Sequence, residues 1–149
     1  MSDNPPRPYN NVTEVVGTTP LIRLNSVARD VPGTIYVKCE FMNPSGSLKD
    51  RIALAMVEEA EREGALKPGG VIVEATSGNT GMALAMVAAI RGYRCIFTMP
   101  DKMSQEKVKL LRAFGAVVVI VPTAVPPDHP EHYCVKAETI ARETPGAIL

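Results

Sequence analysis

Short apolar runs and longer segments of mixed polarity alternate along the chain. The short runs have the length of buried strands, and several of the longer segments carry apolar residues at helical spacing. Strands that alternate with helices of this length predict parallel pairing in a layered α/β domain. The predicted strands cover residues 21–24, 34–40, 71–76, 95–100 and 117–122, and the predicted helices cover residues 49–63, 80–91, 104–114 and 132–143.

Polar residues and glycines mark where several of these helices begin and end. Ser104 is a predicted N-cap, and Glu106 follows in the first turn, where an acidic side chain opposes the positive end of the helix dipole. Gly115 is the predicted C′ residue of the same helix, and Gly64 and Gly92 end two other helices in the same way. The predicted helix boundaries therefore have a chemical basis.

One lysine, Lys49, stands at the predicted start of a helix, directly after the loop-forming residues 43–48. A helix N-terminus carries partial positive charge, which disfavours a protonated amine. An amine that loses its proton easily is a nucleophile, so Lys49 is the leading candidate for chemistry. On this segment alone, a surface lysine in a first helical turn explains the pattern equally well.

A small polar loop, residues 77–81 with the sequence SGNTG, joins a buried strand to an alanine-rich helix. Such a loop directs backbone N–H groups and hydroxyls to one point, where the helix dipole favours an anion. The glycine spacing matches neither the dinucleotide fingerprint nor the P-loop, so a carboxylate is the favoured anion. An ordinary strand-to-helix turn with a good N-cap is the alternative.

Several short motifs occur in a fixed order and cover nearly the whole chain from Gly17 onward. Together they resemble the first half of a fold-type II pyridoxal-phosphate enzyme of the cysteine synthase and cystathionine β-synthase family. The matching stretches are GTTPLIRL at 17–24, NPSGSLKDR at 43–51, KPG at 67–69, EATSGNTG at 74–81, RGY at 91–93 and MPDKMS at 99–104.

The resemblance implies roles for the two loops. It implies that Lys49 forms the Schiff base with the cofactor, pyridoxal 5′-phosphate, and later acts as the base that removes the substrate's α-proton. It also implies that Asn79 hydrogen-bonds the ring oxygen of the cofactor. The substrate carboxylate is expected to bind the loop residues Thr76, Ser77, Gly78, Asn79 and Thr80.

The resemblance further implies a three-layer αβα fold with a parallel sheet of the tryptophan synthase β-like type, incomplete in this chain. Residues 1–42 are expected to be strands of the larger cofactor domain, and residues 43–149 are expected to form the smaller α/β domain. Family enzymes are considerably longer, and their glycine-rich phosphate loop lies in a second half that has no counterpart here. The chain is therefore expected to be the N-terminal portion of a longer enzyme.

The reaction implied by the resemblance is β-replacement on L-serine or an activated serine by a thiol, as in transsulfuration and cysteine biosynthesis. The proline-rich segment 122–130 is predicted to be irregular. The segment 121–133, which contains it, resembles a longer insertion of cystathionine β-synthases, which favours the lyase that joins serine and homocysteine into cystathionine. A cysteine synthase, a transferase that uses O-acetylserine and sulfide, is the alternative.

Composition restricts the partners. The chain has 149 residues, 46% of them hydrophobic, and a formal net charge of zero, so no charge bias favours nucleic acid or acidic membranes. Small amino acids and thiols are the expected substrates, and a homodimer or higher homo-oligomer is expected at full length. The N-terminus lacks an apolar signal core, which favours a cytoplasmic location.

No metal site is predicted. The chain has three cysteines, Cys39, Cys95 and Cys134, which are widely spaced and lack a C-x-x-C pair, so neither a disulfide framework nor structural zinc is indicated. The spacing of His129, His132 and Cys134 also suits no common metal motif.

Two readings from other functional classes stay open at this point. The chain could be a non-catalytic fragment that keeps the fold without binding cofactor productively, a reading that the missing phosphate loop favours. It could also be a Rossmann-type nucleotide-binding module, which the strand-loop-helix units suggest and the absent glycine fingerprint disfavours.

Overall fold

The computed structural model describes residues 8–76 and 78–149, in which helices and strands alternate after an N-terminal pair of strands. The boundaries follow the sequence pattern to within one or two residues at most positions. The strands are β1 (Leu21–Arg23), β2 (Tyr36–Lys38), β3 (Val71–Ala75), β4 (Arg94–Pro100), β5 (Val117–Val121) and β6 (Ala147–Ile148). The helices are α1 (Lys49–Arg62), α2 (Asn79–Arg91), α3 (Gln105–Ala113) and α4 (Tyr133–Glu143).

A parallel sheet of four strands forms the centre of the fold, in the order β5-β4-β3-β6. Helices cover both of its faces. Alternate side chains of β3 enter different cores, as the pleat of a strand requires: Ile72 packs among residues of α1 and α2, whereas Val71 and Val73 pack against Ala137 of α4. The predicted α/β fold class, with its parallel sheet and three layers, is confirmed.

The capping residues explain where the helices begin and end. The Ser104 side chain accepts a hydrogen bond from the backbone N–H of Lys107 at 3.4 Å, which confirms the predicted N-cap of α3. Gly92 ends α2 with φ +77°, a left-handed conformation that glycine adopts without steric cost. The alanine-rich helix α2 is buried from Gly81 to Ala88, whereas Ala89 and Ile90 lie on the solvent side.

The first two strands differ from the rest of the fold. β1 and β2 pair antiparallel in a separate two-stranded sheet, so the expected parallel pairing does not extend to them. The predicted strand 34–40 is shorter than expected, since a 3-10 turn (Glu40–Met42) replaces its end. Leu21, Ile22 and Val37 are exposed on this small sheet. That the residues 1–42 belong to a larger domain stays a prediction, and residues 1–7 lie outside the described part of the chain.

The described residues offer little outside the sheet and its helices that suggests other chemistry. Cys39 and Cys95 are buried as small core residues, and burial raises the pKa of the Cys95 thiol to about 12. Within residues 8–76 and 78–149, no three histidine, cysteine or acidic side chains come together as metal ligands. In the same part of the chain, no helix has the length and apolar character needed to cross a membrane.

Candidate active site

The candidate site lies at the carboxyl end of β3. In the sheet order, β4 lies on one side of β3 and β6 on the other, so the chain reverses its direction of travel across the sheet beside β3. Ligand sites of open α/β sheets form at the carboxyl ends of strands next to such a reversal. A cavity of about 390 Å³ opens there, lined by Lys49, Glu74, Ala75, Thr76, Gly78, Asn79, Thr80 and Lys107.

The structure thus brings together the predicted site residues from two distant segments. Lys49 is the first residue of α1 and is partly exposed, and Asn79 and Thr80 begin α2. α1 packs along α2, which places their amino-terminal ends at one edge of the sheet. Ser77, also predicted to bind the substrate carboxylate, lies outside the described residues.

The segment before Lys49, residues 43–48, is called the Lys49 loop. The buried carboxylate of Asp50, in the first turn of α1, binds this loop. It accepts a hydrogen bond from the backbone N–H of Ser45 at 2.7 Å and another from the Ser45 hydroxyl. The Ser47 hydroxyl accepts from the backbone N–H of Lys49 at 3.1 Å, which satisfies a donor at the start of α1. These hydrogen bonds fix the backbone of Lys49 between the loop that precedes it and the helix that follows it.

A second set of contacts ties the Lys49 loop to the N-terminal part of the chain. The buried Asn43 side chain accepts a hydrogen bond from the N–H of Gly17 at 2.8 Å and donates to Glu40. Arg51 donates to both oxygens of the Glu40 carboxylate at 2.8 Å and to the Gly17 carbonyl at 3.0 Å. These hydrogen bonds from Arg51, together with that from Thr19, lower the pKa of Glu40 to about 2.

The second loop, Thr76 with residues 78–80, is called the Thr76 loop. Thr76 is buried, and its hydroxyl oxygen accepts hydrogen bonds from the N–H groups of Gly78 at 3.3 Å and Gly81 at 3.0 Å. No acceptor among residues 8–76 and 78–149 takes the hydrogen of this hydroxyl, so it can be donated to a ligand. A Cβ on Gly81 would lie 2.5 Å from the Thr76 methyl carbon, so this close approach requires glycine.

Two donors at the start of α2 have no acceptor in the part of the chain that the structure describes. Of the residues that the structure describes, none accepts a hydrogen bond from the N–H of Asn79 or Thr80. The first N–H groups of a helix have no partner inside the helix, and the dipole there favours negative charge. The side chain of Asn79 is exposed at the cavity. The arrangement is suited to a carboxylate.

Two charged residues of the cavity, Glu74 and Lys107, were not predicted from the sequence. Glu74 is the one acidic residue of β3, and burial raises its pKa above the usual 4.5. Lys107 lies in the first turn of α3, and a Cβ placed on Gly78 would stand 3.3 Å from its Nζ. A polar residue inside an apolar strand was a usable signal for Glu74. No signal along the sequence shows that the Lys107 side chain reaches a loop almost thirty residues away.

Sequence comparison identifies relatives of the chain. A sequence profile of the family described as "Pyridoxal-phosphate dependent enzyme" matches residues 12–149. A cysteine synthase of Staphylococcus aureus is 55% identical over 116 residues, which are 78% of this chain and 37% of that protein. A cystathionine beta-synthase of Apis mellifera is 48% identical over 141 residues, which are 93% of this chain and 28% of that protein.

Comparison with solved structures also identifies relatives of the chain. A hydrogen sulfide-producing enzyme from Fusobacterium nucleatum superposes with a TM-score of 0.86 at 39% identity and covers 96% of this chain. An O-ureido-L-serine synthase superposes with a TM-score of 0.83 at 44% identity and covers 92% of it. The chain spans 45% and 42% of these structures, so it corresponds to less than half of each relative.

Proposed function

Because the chain belongs to the family of pyridoxal-phosphate-dependent enzymes, we propose that it carries the reactive lysine and the amino-acid-binding loop of an enzyme for β-replacement on serine or an activated serine. The observation that carries the proposal is that Lys49 and the Thr76 loop, 27 or more residues apart in the chain, line one cavity. In the proposal, residues 43–149 form the smaller domain and residues 1–42 belong to the larger one.

The cavity suits the reactive end of the cofactor. Its volume of about 390 Å³ lies within the range of roughly 300–1,000 Å³ that is common for small-molecule sites. It contains a primary amine, at Lys49, of the kind that binds an aldehyde covalently. It also contains the exposed amide of Asn79, which can donate to a ring oxygen.

Each residue then has a chemical task. Pyridoxal phosphate, when bound, withdraws electrons from the α-carbon of an attached amino acid. Lys49 is the proposed residue that holds the cofactor and, once its amine is free, takes the α-proton on Nζ. The hydroxyls of Thr76 and Thr80 and the N–H groups of Asn79 and Thr80 would bind the substrate carboxylate. With these residues in place, the net reaction would exchange the β-substituent of the substrate for a thiol, whose proton would leave with the departing group.

The second substrate is proposed to be homocysteine, as in a cystathionine β-synthase. Two observations support this choice. The honeybee cystathionine beta-synthase matches 93% of the chain, against 78% for the staphylococcal cysteine synthase. The connection between β5 and α4 is long, and residues 126–130 are exposed throughout. The higher identity of the cysteine synthase, 55%, keeps the reaction of O-acetylserine with sulfide as the second candidate.

The test uses the full-length protein saturated with pyridoxal phosphate. Turnover of L-serine with homocysteine is compared with turnover of O-acetylserine with sulfide, and the product is identified by mass spectrometry. Lys49→Ala is expected to lower turnover by about a thousandfold or more, because both cofactor attachment and proton transfer are lost. Lys67→Ala, which changes an exposed lysine away from the cavity, is the matched control.

Each outcome has a defined meaning. Cystathionine as the faster product supports the proposal, and cysteine as the faster product favours the second candidate. Turnover that Lys49→Ala leaves at the level of Lys67→Ala would overturn the assignment of Lys49. A cofactor-loaded protein that makes neither product would contradict β-replacement and leave a non-catalytic role.

A further inference from the structure

We propose that Lys107 is a substrate-binding residue, which recognises the free carboxylate of the amino-acid substrate together with the Thr76 loop. The inference rests on the proposed function and extends it, because it assigns a residue outside the loops identified from the sequence. It also predicts that the cavity selects its ligand by the free carboxylate, rather than by the amino acid portion as a whole.

The first support is the position of the ammonium group. Lys107 lines the cavity on the side of α3, and its Nζ lies so close to Gly78 that a Cβ there would be 3.3 Å away. The glycine therefore leaves room for the ammonium group beside the backbone of the loop. A carboxylate bound to the N–H groups of Asn79 and Thr80 would lie next to this cation.

The second support is that the backbone of Lys107 is held in place, while its ammonium group has no acidic partner among the described residues. Its backbone N–H donates to the Ser104 side chain at the start of α3, and the next residue, Val108, is buried in the core. Within residues 8–76 and 78–149, no carboxylate forms an ion pair with Lys107. A cation that has no acidic partner among the described residues is available to an anionic ligand.

The third support is the charge of the cavity. Its charged lining residues are Lys49, Lys107 and Glu74, so cations outnumber the carboxylate. Lys49 is committed to the cofactor in the proposed function. Lys107 is then the remaining cation for the substrate, and a charge-assisted hydrogen bond from an ammonium to a carboxylate is stronger than one between neutral groups.

The test measures ligand binding rather than turnover. The full-length protein loaded with pyridoxal phosphate is titrated with L-alanine, which lacks a leaving group, and with L-alaninamide, which lacks the carboxylate. Binding is followed by the change in the visible absorbance of the cofactor. The variants are Lys107→Met, Lys107→Arg and the control Lys109→Met, which removes an exposed charge from the same helix outside the cavity.

Lys107→Met is expected to weaken L-alanine binding by about tenfold, because it removes a charged hydrogen bond to the ligand. The affinity for L-alaninamide is expected to stay unchanged, Lys107→Arg is expected to recover most of the L-alanine affinity, and Lys109→Met is expected to bind like the wild type. Cofactor loading is expected to be equal in all variants.

Three results would overturn the inference while leaving the proposed function intact. They are equal L-alanine affinity in the Lys107→Met and Lys109→Met proteins, an equal loss for both ligands, and a loss of cofactor loading with unchanged L-alanine affinity. If the wild-type protein, fully loaded with cofactor, gave no absorbance change with L-alanine, the proposed function itself would fail, and the inference with it.

Discussion

The two loops that line the cavity differ in how many of their polar groups are already bonded within the protein. In the Lys49 loop, Asn43 and Ser45 have partners, and the buried Asp50 carboxylate joins the loop to the helix that follows. In the Thr76 loop, the Thr76 hydroxyl binds two backbone N–H groups, whereas the N–H groups of Asn79 and Thr80 have no acceptor among the described residues.

This difference fits the two different tasks proposed for the loops. A group that binds a cofactor in every catalytic cycle benefits from a position that the protein fixes in advance, since no ordering cost arises on binding. A loop with unpaired donors gains hydrogen bonds only when an anion arrives, which can couple substrate binding to closure of the site. We infer that the Lys49 loop is formed before any ligand binds and that the Thr76 loop is completed by the substrate.

Among the changes that test this comparison, Asp50→Ala is expected to have the largest effect on stability. The change removes the acceptor of two donors of Ser45 and leaves them without a partner inside the protein. We expect the free energy of unfolding to fall by about 2–3 kcal/mol, measured by urea denaturation. The control Asp30→Ala, at an exposed position, is expected to change it by less than about 0.5 kcal/mol. Equal effects of the two changes would show that the Lys49 loop is not held by Asp50.

A somewhat smaller effect is expected from Gly81→Ala in the Thr76 loop region. The new Cβ would lie 2.5 Å from the Thr76 methyl carbon, and such overpacking typically costs about 1–3 kcal/mol. Adding Thr76→Ser removes that methyl group and keeps the hydroxyl, so the double variant is expected to recover part of the stability. A double variant that is less stable than Gly81→Ala alone would contradict the proposed contact. The free energy of unfolding is measured by urea denaturation for the wild type, Thr76→Ser, Gly81→Ala and the double variant.

The smallest effects are expected from two carboxylates, Glu40 and Glu74, whose pKa shifts have opposite signs. The pKa of Glu40 is lowered from 4.5 to about 2, so its contribution to stability is present above pH 4.5 and is lost as the pH falls towards 2. The pKa of Glu74 is raised by burial, so its ionisation weakens stability as the pH rises through and above 4.5.

The corresponding variants are Glu40→Gln and Glu74→Gln, compared with the wild type by thermal unfolding between pH 2 and pH 7. Glu40→Gln is expected to lose stability near neutral pH and to approach the wild type in acid. Glu74→Gln is expected to match the wild type in acid and to exceed it as the pH rises. Parallel pH profiles for both variants would contradict the opposite environments assigned to the two carboxylates.

The local sequence pattern predicted the parts of the fold and site that depend on neighbouring residues. The apolar run 71–76 followed by a small polar loop predicted β3 and the start of α2, because a strand, a turn and a helix cap each have local chemical requirements. Lys49 was predicted for the same reason, since the loop-forming residues 43–48 mark the start of its helix. The motif order then linked both segments to one family.

The remaining features depend on contacts between residues far apart in the chain. Arg51 binds the Gly17 carbonyl and the Glu40 carboxylate, and Glu40 begins the 3-10 turn that replaces the end of the predicted strand 34–40. The antiparallel pairing of β1 and β2 follows from their direct connection without a helix between them. The approach of Lys107 to Gly78 depends on how α3 lies against the sheet, which periodicity does not give.

The most direct test of the account is to locate the covalent attachment of the cofactor. The full-length protein loaded with pyridoxal phosphate is reduced with borohydride, digested, and mapped by mass spectrometry. The account predicts a reduced pyridoxyl group on Lys49, present in the wild type and in the Lys107→Met protein and absent after Lys49→Ala. A label on Lys107 or on another lysine of the chain, with Lys49 unmodified, would contradict the central claim that the fixed Lys49 loop presents the reactive amine.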